Sequence, residues 1–202
     1  MKKIIKYLFL LTGGSFILAS CNDFLDREPL DSVTPDNFFF TENDLAAYAV
    51  KHYNFTTHEG FNAGIWKNDN ATDNQAATDY DKKWIPGQWK VPEAYDNPAS
   101  NDPWYFSTIR EANYFLETVV PRFEKGEIEG SETNIKHYIG EMYFLRAKNY
   151  LSKLETFGDF PIIKNTLPDE SESLIQASKR APRYKVAHFI LEDLDQAISL
   201  LT

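Results

Sequence analysis

The sequence predicts an all-α protein with a hydrophobic core. Apolar residues recur at spacings of three and four in four separate segments, which is the period of an amphipathic helix. Residues typical of helix starts stand before these segments, and Pro or Gly closes two of them. Apolar residues make up 43% of the chain and aromatic residues 15%, which is enough for a real core and argues against disorder.

The first clear helix is predicted over residues 42–54, with Thr41 as its N-cap. Its apolar face consists of Leu45, Tyr48, Ala49 and Tyr53. Thr34 and Pro35 form an earlier start signal, in which a capping residue precedes proline at the first helical position. We therefore expect the helical part of the chain to begin near residue 34.

Residues 55–103 differ from the rest of the chain. The segment is rich in Asn, Asp, Gly, Pro and Thr, it has no sustained helical period, and it contains three of the four tryptophans, Trp66, Trp84 and Trp89. We predict a long structured loop with at most one short helix. Loops of this length inside a compact domain are uncommon and usually functional.

Two longer helices are predicted next. The first spans 104–120, with Asp102 as N-cap, Pro103 at the first position and Pro121 closing it. Its apolar face consists of Tyr105, Ile109, Ala112, Leu116 and Val119. The second spans 132–157 behind Ser131, and Gly158 is suited to end it.

The 132–157 helix carries two apolar rows, which predicts burial over a wide arc between neighbouring elements. The rows are Ile135, Tyr138, Met142, Leu145 and Ile139, Tyr143, Ala147, Tyr150, Leu154, Phe157. The run from Phe160 to Ile163 is expected to turn back onto the core, and 165–181 to form a polar loop. The last helix is predicted over 182–201, with an inner face of Val186, Phe189, Ile190, Leu194, Ala197, Ile198 and Leu201.

The helix starts are not spaced at a 34-residue period, and a strict tetratricopeptide pattern is absent. Periodicity alone therefore predicts an α-helical domain and nothing sharper.

The first 20 residues have the form of a secretory signal. Lysines at 2, 3 and 6 precede an uncharged stretch from 7 to 20, which is shorter than the roughly 18–20 residues that a membrane-spanning helix requires. Leu18-Ala19-Ser20 directly before Cys21 resembles a bacterial lipobox, which implies cleavage after Ser20 and acylation of Cys21. We expect an exported protein tethered by lipid, since two or more acyl chains anchor a protein stably.

Composition excludes several functions. The formal net charge of −9 argues against nucleic acid, whose phosphates require a basic patch, and against polybasic membrane adhesion. Cys21 is the only cysteine, so the mature domain has neither an intrachain disulfide nor thiol chemistry. No phosphate-binding loop, nucleophile elbow or dinucleotide fingerprint is present, and no pair of carboxylates is singled out for glycoside hydrolysis.

Five phrases, in order along the chain, resemble the SusD/RagB family. The first is the opening Cys21-Asn-Asp-Phe-Leu-Asp-Arg-Glu-Pro29, and the second is the first helix and its start, from Thr34 to Tyr53. The third is the helix Trp104-Tyr-Phe-Ser-Thr-Ile109-Arg-Glu-Ala112-Asn113. The fourth is Glu141-Met-Tyr-Phe-Leu-Arg146-Ala147-Lys-Asn-Tyr150 followed by Phe157-Gly-Asp-Phe-Pro161, and the fifth is the last helix, with Val186, Ile190, Asp193-Leu194 and Ala197. Each phrase is weak alone, but five in series are specific.

The resemblance implies a surface glycan- and nutrient-binding lipoprotein of the Bacteroidetes outer membrane, not an enzyme and without a cofactor. It implies a tetratricopeptide-like helical-repeat scaffold that passes captured oligosaccharide to a SusC-like TonB-dependent transporter. The expected domains are the signal peptide (1–20), a lipidated tether (21–33) and a SusD-like amino-terminal helical domain (34–202). The chain is shorter than a typical member, so this domain is incomplete relative to the family.

The candidate glycan contacts lie in the long loop. Tryptophan offers a broad apolar face to the C–H patches of a sugar, while amides and carboxylates bind its hydroxyls. They are Trp89, Trp84, Trp66, Asp73, Asn74 and Asn97. In the SusD/RagB family a binding aromatic precedes the helix that begins at Trp104, and Trp89 fits that position best. Each tryptophan could instead fill the core, which is the interpretation we favour for Trp104.

Other side chains are interpreted as structural. Asp69, Asp73, Asp79 and Asp81 lack the calcium-loop pattern and are expected to form a solvated loop, so no metal is predicted. Glu141 and Arg146 are expected to make structural hydrogen bonds. An alternative function stays open, in which the chain is a surface lipoprotein that binds peptide or protein and its tryptophans are core residues.

Overall fold

The structure is a computed structural model that describes residues 38–53, 85–88, 90–92 and 102–201. Five helices lie in these ranges: α1 (Glu42–Val50), α2 (Ser107–Glu124), α3 (Glu132–Phe157), α4 (Ser171–Ala177) and α5 (Arg183–Leu200). Within the same ranges the only β pairing consists of two isolated bridges, Thr41 with Glu129 and Phe160 with Ala181. The predicted all-α class is confirmed.

Helix α3 is the centre of the fold, because it packs against α1, α2 and α5. Its bounds agree with the prediction, and its buried positions span the expected wide arc. One core cluster joins α3 to α1 and α2 and contains Phe39, Leu45, Phe115, Ile139 and Met142. A second cluster joins α3 to α5 and to the start of α2 and contains Ile109, Tyr150, Phe160, Val186 and Phe189.

Helix α1 begins as predicted but ends four residues early. The Thr41 hydroxyl accepts a hydrogen bond from the Asp44 amide at 3.2 Å, and the Asp44 carboxylate accepts one from the Thr41 amide at 2.9 Å. This reciprocal capping box satisfies two amides of the first turn. Of the predicted face, Leu45 and Ala49 are buried, whereas Tyr53 lies beyond the helix and is 43% exposed.

Helix α3 is capped by a residue of α1 and not by its own Ser131 hydroxyl. Glu42 accepts a hydrogen bond from the Ser131 amide and another from the Asn134 side chain, each at 2.7 Å. The Ser131 amide bond is the larger cause that lowers the pKa of Glu42 below its usual value. Gly130 permits this approach, because a Cβ there would lie 2.5 Å from Glu42 Cβ.

Helix α2 starts and ends three and four residues later than predicted. Asp102 closes a separate turn in which its carboxylate accepts from the Trp104 amide at 2.8 Å, so it does not cap the helix. Pro121 lies inside α2 and does not end it. Arg122 in the last turn donates to the Phe38 carbonyl at 2.7 Å, so tertiary contacts favour one further turn.

Two other expectations were wrong in detail. The predicted loop 165–181 contains α4, which has no buried residue and therefore no apolar period to reveal it. On α5, Ile198 was expected on the inner face but is 64% exposed, whereas Asp193 is buried. The buried row of α5 runs through Val186, Ile190, Asp193 and Ala197. Ile198 lies beside this row and faces outward.

Candidate functional site

All the loop residues predicted to contact glycan lie outside the described residues. They are Trp66, Trp84, Trp89, Asp73, Asn74 and Asn97; Cys21 and the aspartates at 69, 79 and 81 also lie outside. The predictions for these residues therefore stay predictions. What the structure provides is the platform on which the end of the long loop rests.

Trp104 joins the end of the long loop to the helical core. Its indole Nε1 donates a hydrogen bond to the Pro92 carbonyl at 2.8 Å. The centroid of its ring lies 4.2 Å from that of Phe157, and the Arg180 guanidinium lies 5.2 Å from the Trp104 ring centroid. These contacts support the expectation that Trp104 packs on the core, although it precedes α2 instead of starting it.

Lys153 of α3 fixes the backbone beside Trp104. Its ammonium donates to the carbonyls of Pro103 and Tyr105, and the residue is 9% exposed. Burial lowers the pKa of Lys153, while the charge of Asp102 opposes that shift. Because these carbonyls are bonded to the ammonium, the chain between the turn at 102 and the start of α2 is tied directly to the central helix.

Trp104, Phe106, Phe157 and Phe160 form an aromatic cluster on this side of the molecule. Phe160 stacks on Phe157 at 5.2 Å and on Phe106 at 5.8 Å between ring centroids. Phe160 is 1% exposed, as expected for a chain that turns back onto the core. The cluster gives the loop end a rigid base, because aromatic rings lose little conformational freedom when they pack.

A cleft of about 250 Å³ opens next to this cluster, between α2, the segment 163–167 and α4. Its lining is mostly apolar, with one arginine and two amides. The lining residues are Phe106, Arg110, Asn113, Ile163, Asn165, Leu167 and Leu174. A concave apolar surface with a few placed polar groups is the usual form of a small-ligand site.

The wall of the cleft is held by a buried polar network. Asn113, which is 0% exposed, donates from Nδ2 to the Ile163 carbonyl at 2.8 Å and accepts from Arg146 Nη1 at 2.9 Å. Arg146 also donates from Nε and Nη2 to Asp193, at 2.8 and 2.7 Å. Asn113 of α2, Arg146 of α3 and Asp193 of α5, which are far apart along the chain, are thus joined in one hydrogen-bonded network. The expectation that Arg146 is structural is confirmed.

Tyr150 completes the attachment of the 163–167 segment. Its hydroxyl donates to the Ile163 carbonyl at 3.1 Å and accepts from the Ile163 amide at 2.8 Å. Burial raises the pKa of Tyr150 to about 12, with the bond to Ile163 opposing the shift. Further along, Glu117 accepts from the Thr166 amide at 2.8 Å. The 163–167 segment is therefore hydrogen-bonded to α3 through Ile163 and to α2 through Thr166.

Burial raises the pKa of Asp193, and the Arg146 guanidinium offsets part of that rise. Glu141, also expected to be structural, accepts hydrogen bonds from Tyr53 and His137 near the surface. Neither carboxylate lines the cleft. Both acids therefore make contacts within the scaffold.

None of the residues that line the cleft was predicted from the sequence to be a site residue. Phe106 directly precedes α2 and Arg110 lies in its first turn, but Asn165, Leu167 and Leu174 come from a stretch about fifty residues or more later. Their only signal is that Arg110 interrupts an apolar-rich helix, which is too common to indicate a site. Only the tertiary fold brings them together.

Among the residues that the structure describes, no group of three or more His, Cys, Asp or Glu side chains is placed to hold a metal ion. None of the helices described is both long enough and apolar enough to cross a membrane.

Comparison with known proteins gives a consistent result. A SusD-like family model, described as starch-binding and associating with the outer membrane, matches residues 23–202. SusD-like proteins P38 and P2 of Formosa agariphila are 27% identical over 203 residues and 26% identical over 186 residues. These matches cover 98% and 89% of this chain but 37% and 35% of the relatives, so the chain spans little more than a third of their length.

The fold is also found in a solved structure. A SusD-like protein from Bacteroides fragilis NCTC 9343 superposes with a TM-score of 0.53 at 23% identity. The match covers 86% of this chain and 32% of that chain. This likeness shows the fold alone, and it agrees with the tetratricopeptide-like arrangement that the resemblance implied. From the match of the family model over nearly the whole chain, we conclude that this chain belongs to the SusD-like family.

Proposed function

We propose that this chain captures oligosaccharide at the outer membrane and delivers it to a SusC-type TonB-dependent transporter. The observation that carries the proposal is the match of residues 23–202 to a family described as starch-binding and associating with the outer membrane. The scaffold supports it, because a rigid helical core carries the end of a loop rich in tryptophan. Sites presented on loops by a rigid scaffold are a common arrangement for binding proteins.

In this proposal Cys21 carries the lipid that holds the domain at the cell surface. The support is the basic and then apolar segment before it, together with Leu-Ala-Ser at the cleavage position. Labelling cells with tritiated palmitate should mark the wild-type protein and leave Cys21→Ser unlabelled. Protease added to intact cells should then degrade the wild type. Label on Cys21→Ser would refute the tether.

Trp89 is proposed as the principal sugar contact, with Trp84, Trp66, Asp73, Asn74 and Asn97 around it. The described residues on either side of Trp89, Gln88 and Lys90, are both exposed. Pro92, three positions further on, is bonded to Trp104 and so to the core. We infer that the bond at Pro92 reduces the ordering cost of sugar binding nearby in the chain.

Affinity electrophoresis tests the sugar-binding proposal. Wild type, Trp89→Ala and the control Tyr184→Ala would be run through native gels that contain each member of a panel of soluble glycans. Tyr184 is 59% exposed on α5 and has no proposed contact with sugar. At least one glycan should retard the wild type and the control but not Trp89→Ala. An unchanged shift on losing Trp89 would refute the assignment.

The alternative, a surface lipoprotein that binds peptide or protein, is favoured by one observation. Tyr184, Leu191 and Ile198 are seven residues apart on α5 and are 59%, 56% and 64% exposed, so one face of this helix is apolar and open. Exposed apolar patches of this kind can mark protein interfaces. No retardation by any glycan, with stable folding, would favour this alternative.

The proposed function includes no glycan turnover. The family is one of binding proteins, and Glu42 and Asp193 serve as a helix cap and as an ion-pair partner. Incubating purified protein with each retarding glycan should release no reducing sugar. Release above that of a heat-denatured sample would contradict this part of the proposal.

A further inference from the structure

Arg110 is an exposed cation at the cleft. Three exposed lysines, in contrast, are paired with carboxylates: Lys51 with Glu111, Lys136 with Glu132, and Lys164 with Glu192. Among the described residues, no carboxylate forms an ion pair with Arg110, although the chain has 30 acidic residues against 21 basic ones. Its guanidinium is therefore available to an anionic group that enters the cleft.

The rest of the cleft is suited to one sugar ring. Phe106 contributes an aromatic ring, and Ile163, Leu167 and Leu174 contribute apolar side chains. The volume of about 250 Å³ falls just below the range of roughly 300–1,000 Å³ found for drug-sized ligands. An aromatic ring binds the C–H face of a sugar, and an arginine binds carboxylate or sulfate oxygens with two parallel hydrogen bonds.

The cleft is also pre-formed. Asn113 bonds to the carbonyls of Ile163 and Asn165, and the latter bond is 3.4 Å long. Tyr150 holds Ile163 through both its amide and its carbonyl. Since the 163–167 segment is fixed by these bonds, ligand binding does not have to order it, and less binding energy is lost.

We propose that the cleft beside Arg110 binds a sugar ring that carries an anionic group, and that the glycan captured by this protein is acidic. The proposal rests on the proposed function and defines its substrate class. Arg110 pairs with the carboxylate of a uronic acid or with a sulfate ester, while Phe106 packs against the ring. The cleft borders the aromatic cluster that supports the loop end, so one glycan chain can contact both places.

Matched pairs of probes test this inference by calorimetric titration. The first pair is tetragalacturonate and its carboxyl-reduced counterpart; the second is neocarratetraose sulfate and its desulfated counterpart. Wild type should bind at least one anionic probe about tenfold to a hundredfold more tightly than its neutral counterpart, which is the range for a hydrogen-bonded charge. The pair that shows the preference identifies the anionic group as carboxylate or sulfate.

Arg110→Gln should abolish this preference and leave the affinity for the neutral probe unchanged. Lys125→Gln is the matched control, because it removes the same charge from an exposed position just past the other end of α2. It should keep the preference. Circular dichroism should show both variants folded, since neither side chain is buried.

Two results would overturn the inference: no preference for either anionic probe in the wild type, or an undiminished preference in Arg110→Gln. Failure of the proposed function is distinguishable from both. In that case no glycan, neutral or anionic, binds the wild type. Neutral glycans that bind through Trp89 without help from anionic groups would uphold the proposed function and refute this inference alone.

Discussion

Arg146 and Asp193 form a two-point ion pair in the core, with Nε 2.8 Å from Oδ2 and Nη2 2.7 Å from Oδ1. Their side chains are 7% and 4% exposed. The pair joins α3 to α5 and shares its arginine with Asn113 of α2. Both residues stand in phrases that resemble the family, and together they fix three helices around the cleft.

Breaking this pair from one side should destabilise the protein strongly. Arg146→Met or Asp193→Leu leaves an unpaired buried charge, and each should lower the free energy of unfolding by roughly 3–5 kcal/mol. The double variant should lose much less than the two single losses combined, because neither charge remains. Urea denaturation of all four proteins measures these differences.

The exposed pair Lys164–Glu192 is the matched control. Its side chains are 56% and 66% exposed, so Glu192→Gln should cost less than about 1 kcal/mol. If Glu192→Gln and Asp193→Leu lowered the free energy of unfolding equally, the buried pair would not have the stabilising role given to it here.

Tyr150→Phe should loosen the 163–167 segment. The change removes one hydroxyl that both donates to and accepts from Ile163, and an unsatisfied buried amide or carbonyl costs about 1–3 kcal/mol. Hydrogen exchange at the Ile163 amide should be faster than in the wild type. Tyr184→Phe, at an exposed position on α5, should change neither the free energy of unfolding nor the exchange rate of the Ile163 amide. Unaltered exchange at Ile163 in Tyr150→Phe would show that the hydroxyl does not hold this segment.

Trp104→Phe should free the end of the long loop. Phenylalanine keeps an aromatic ring against Phe157 but cannot donate to the Pro92 carbonyl. Limited trypsin digestion should therefore cut faster after the exposed Lys90 than in the wild type. Leu151→Ala, a change at a 45% exposed position on α3, should leave that rate unchanged. A Trp104→Phe rate equal to that of the wild type would contradict the role of the indole bond.

His52 should make stability sensitive to pH. Burial lowers the pKa of His52, Glu111 opposes the shift, and Lys51 adds to it. The unfolded state therefore binds more protons than the folded state as pH falls below about 6.5, so stability is lost on acidification through that range. Wild type should lose more stability between about pH 7.5 and pH 5.5 than His52→Gln. Identical losses in the two proteins would assign the pH dependence to other groups.

The helix positions could be predicted where local and tertiary signals agree. Thr41 caps α1 as expected because its partner Asp44 is only three residues away, and Gly158 ends α3 with φ of 73°, which favours glycine. The limits of α2 could not be predicted. Its start depends on Lys153, which bonds to the carbonyls of Pro103 and Tyr105 from another helix.

Only part of the candidate site could be predicted from the sequence. The tryptophan-rich loop was predicted from composition, and it stays a prediction because most of its residues lie outside the described ranges. The cleft could not be found, because Arg110 and Leu174 share it only after the chain has folded. Asp193 was also missed as a core residue, because a charged side chain on an apolar face reads as surface until Arg146 is known to pair with it.

The central claim is that Trp89, and not Trp104, is the tryptophan that contacts the sugar. Nuclear magnetic resonance can follow the indole N–H signals of the four tryptophans, each assigned by a single Trp→Phe change. Saturation with a glycan that retards the protein in affinity gels should shift the Trp89 signal most. The Trp104 signal should move least, because its N–H is bonded to Pro92. A shift confined to Trp104, or no shift of the Trp89 signal at saturation, would contradict the claim.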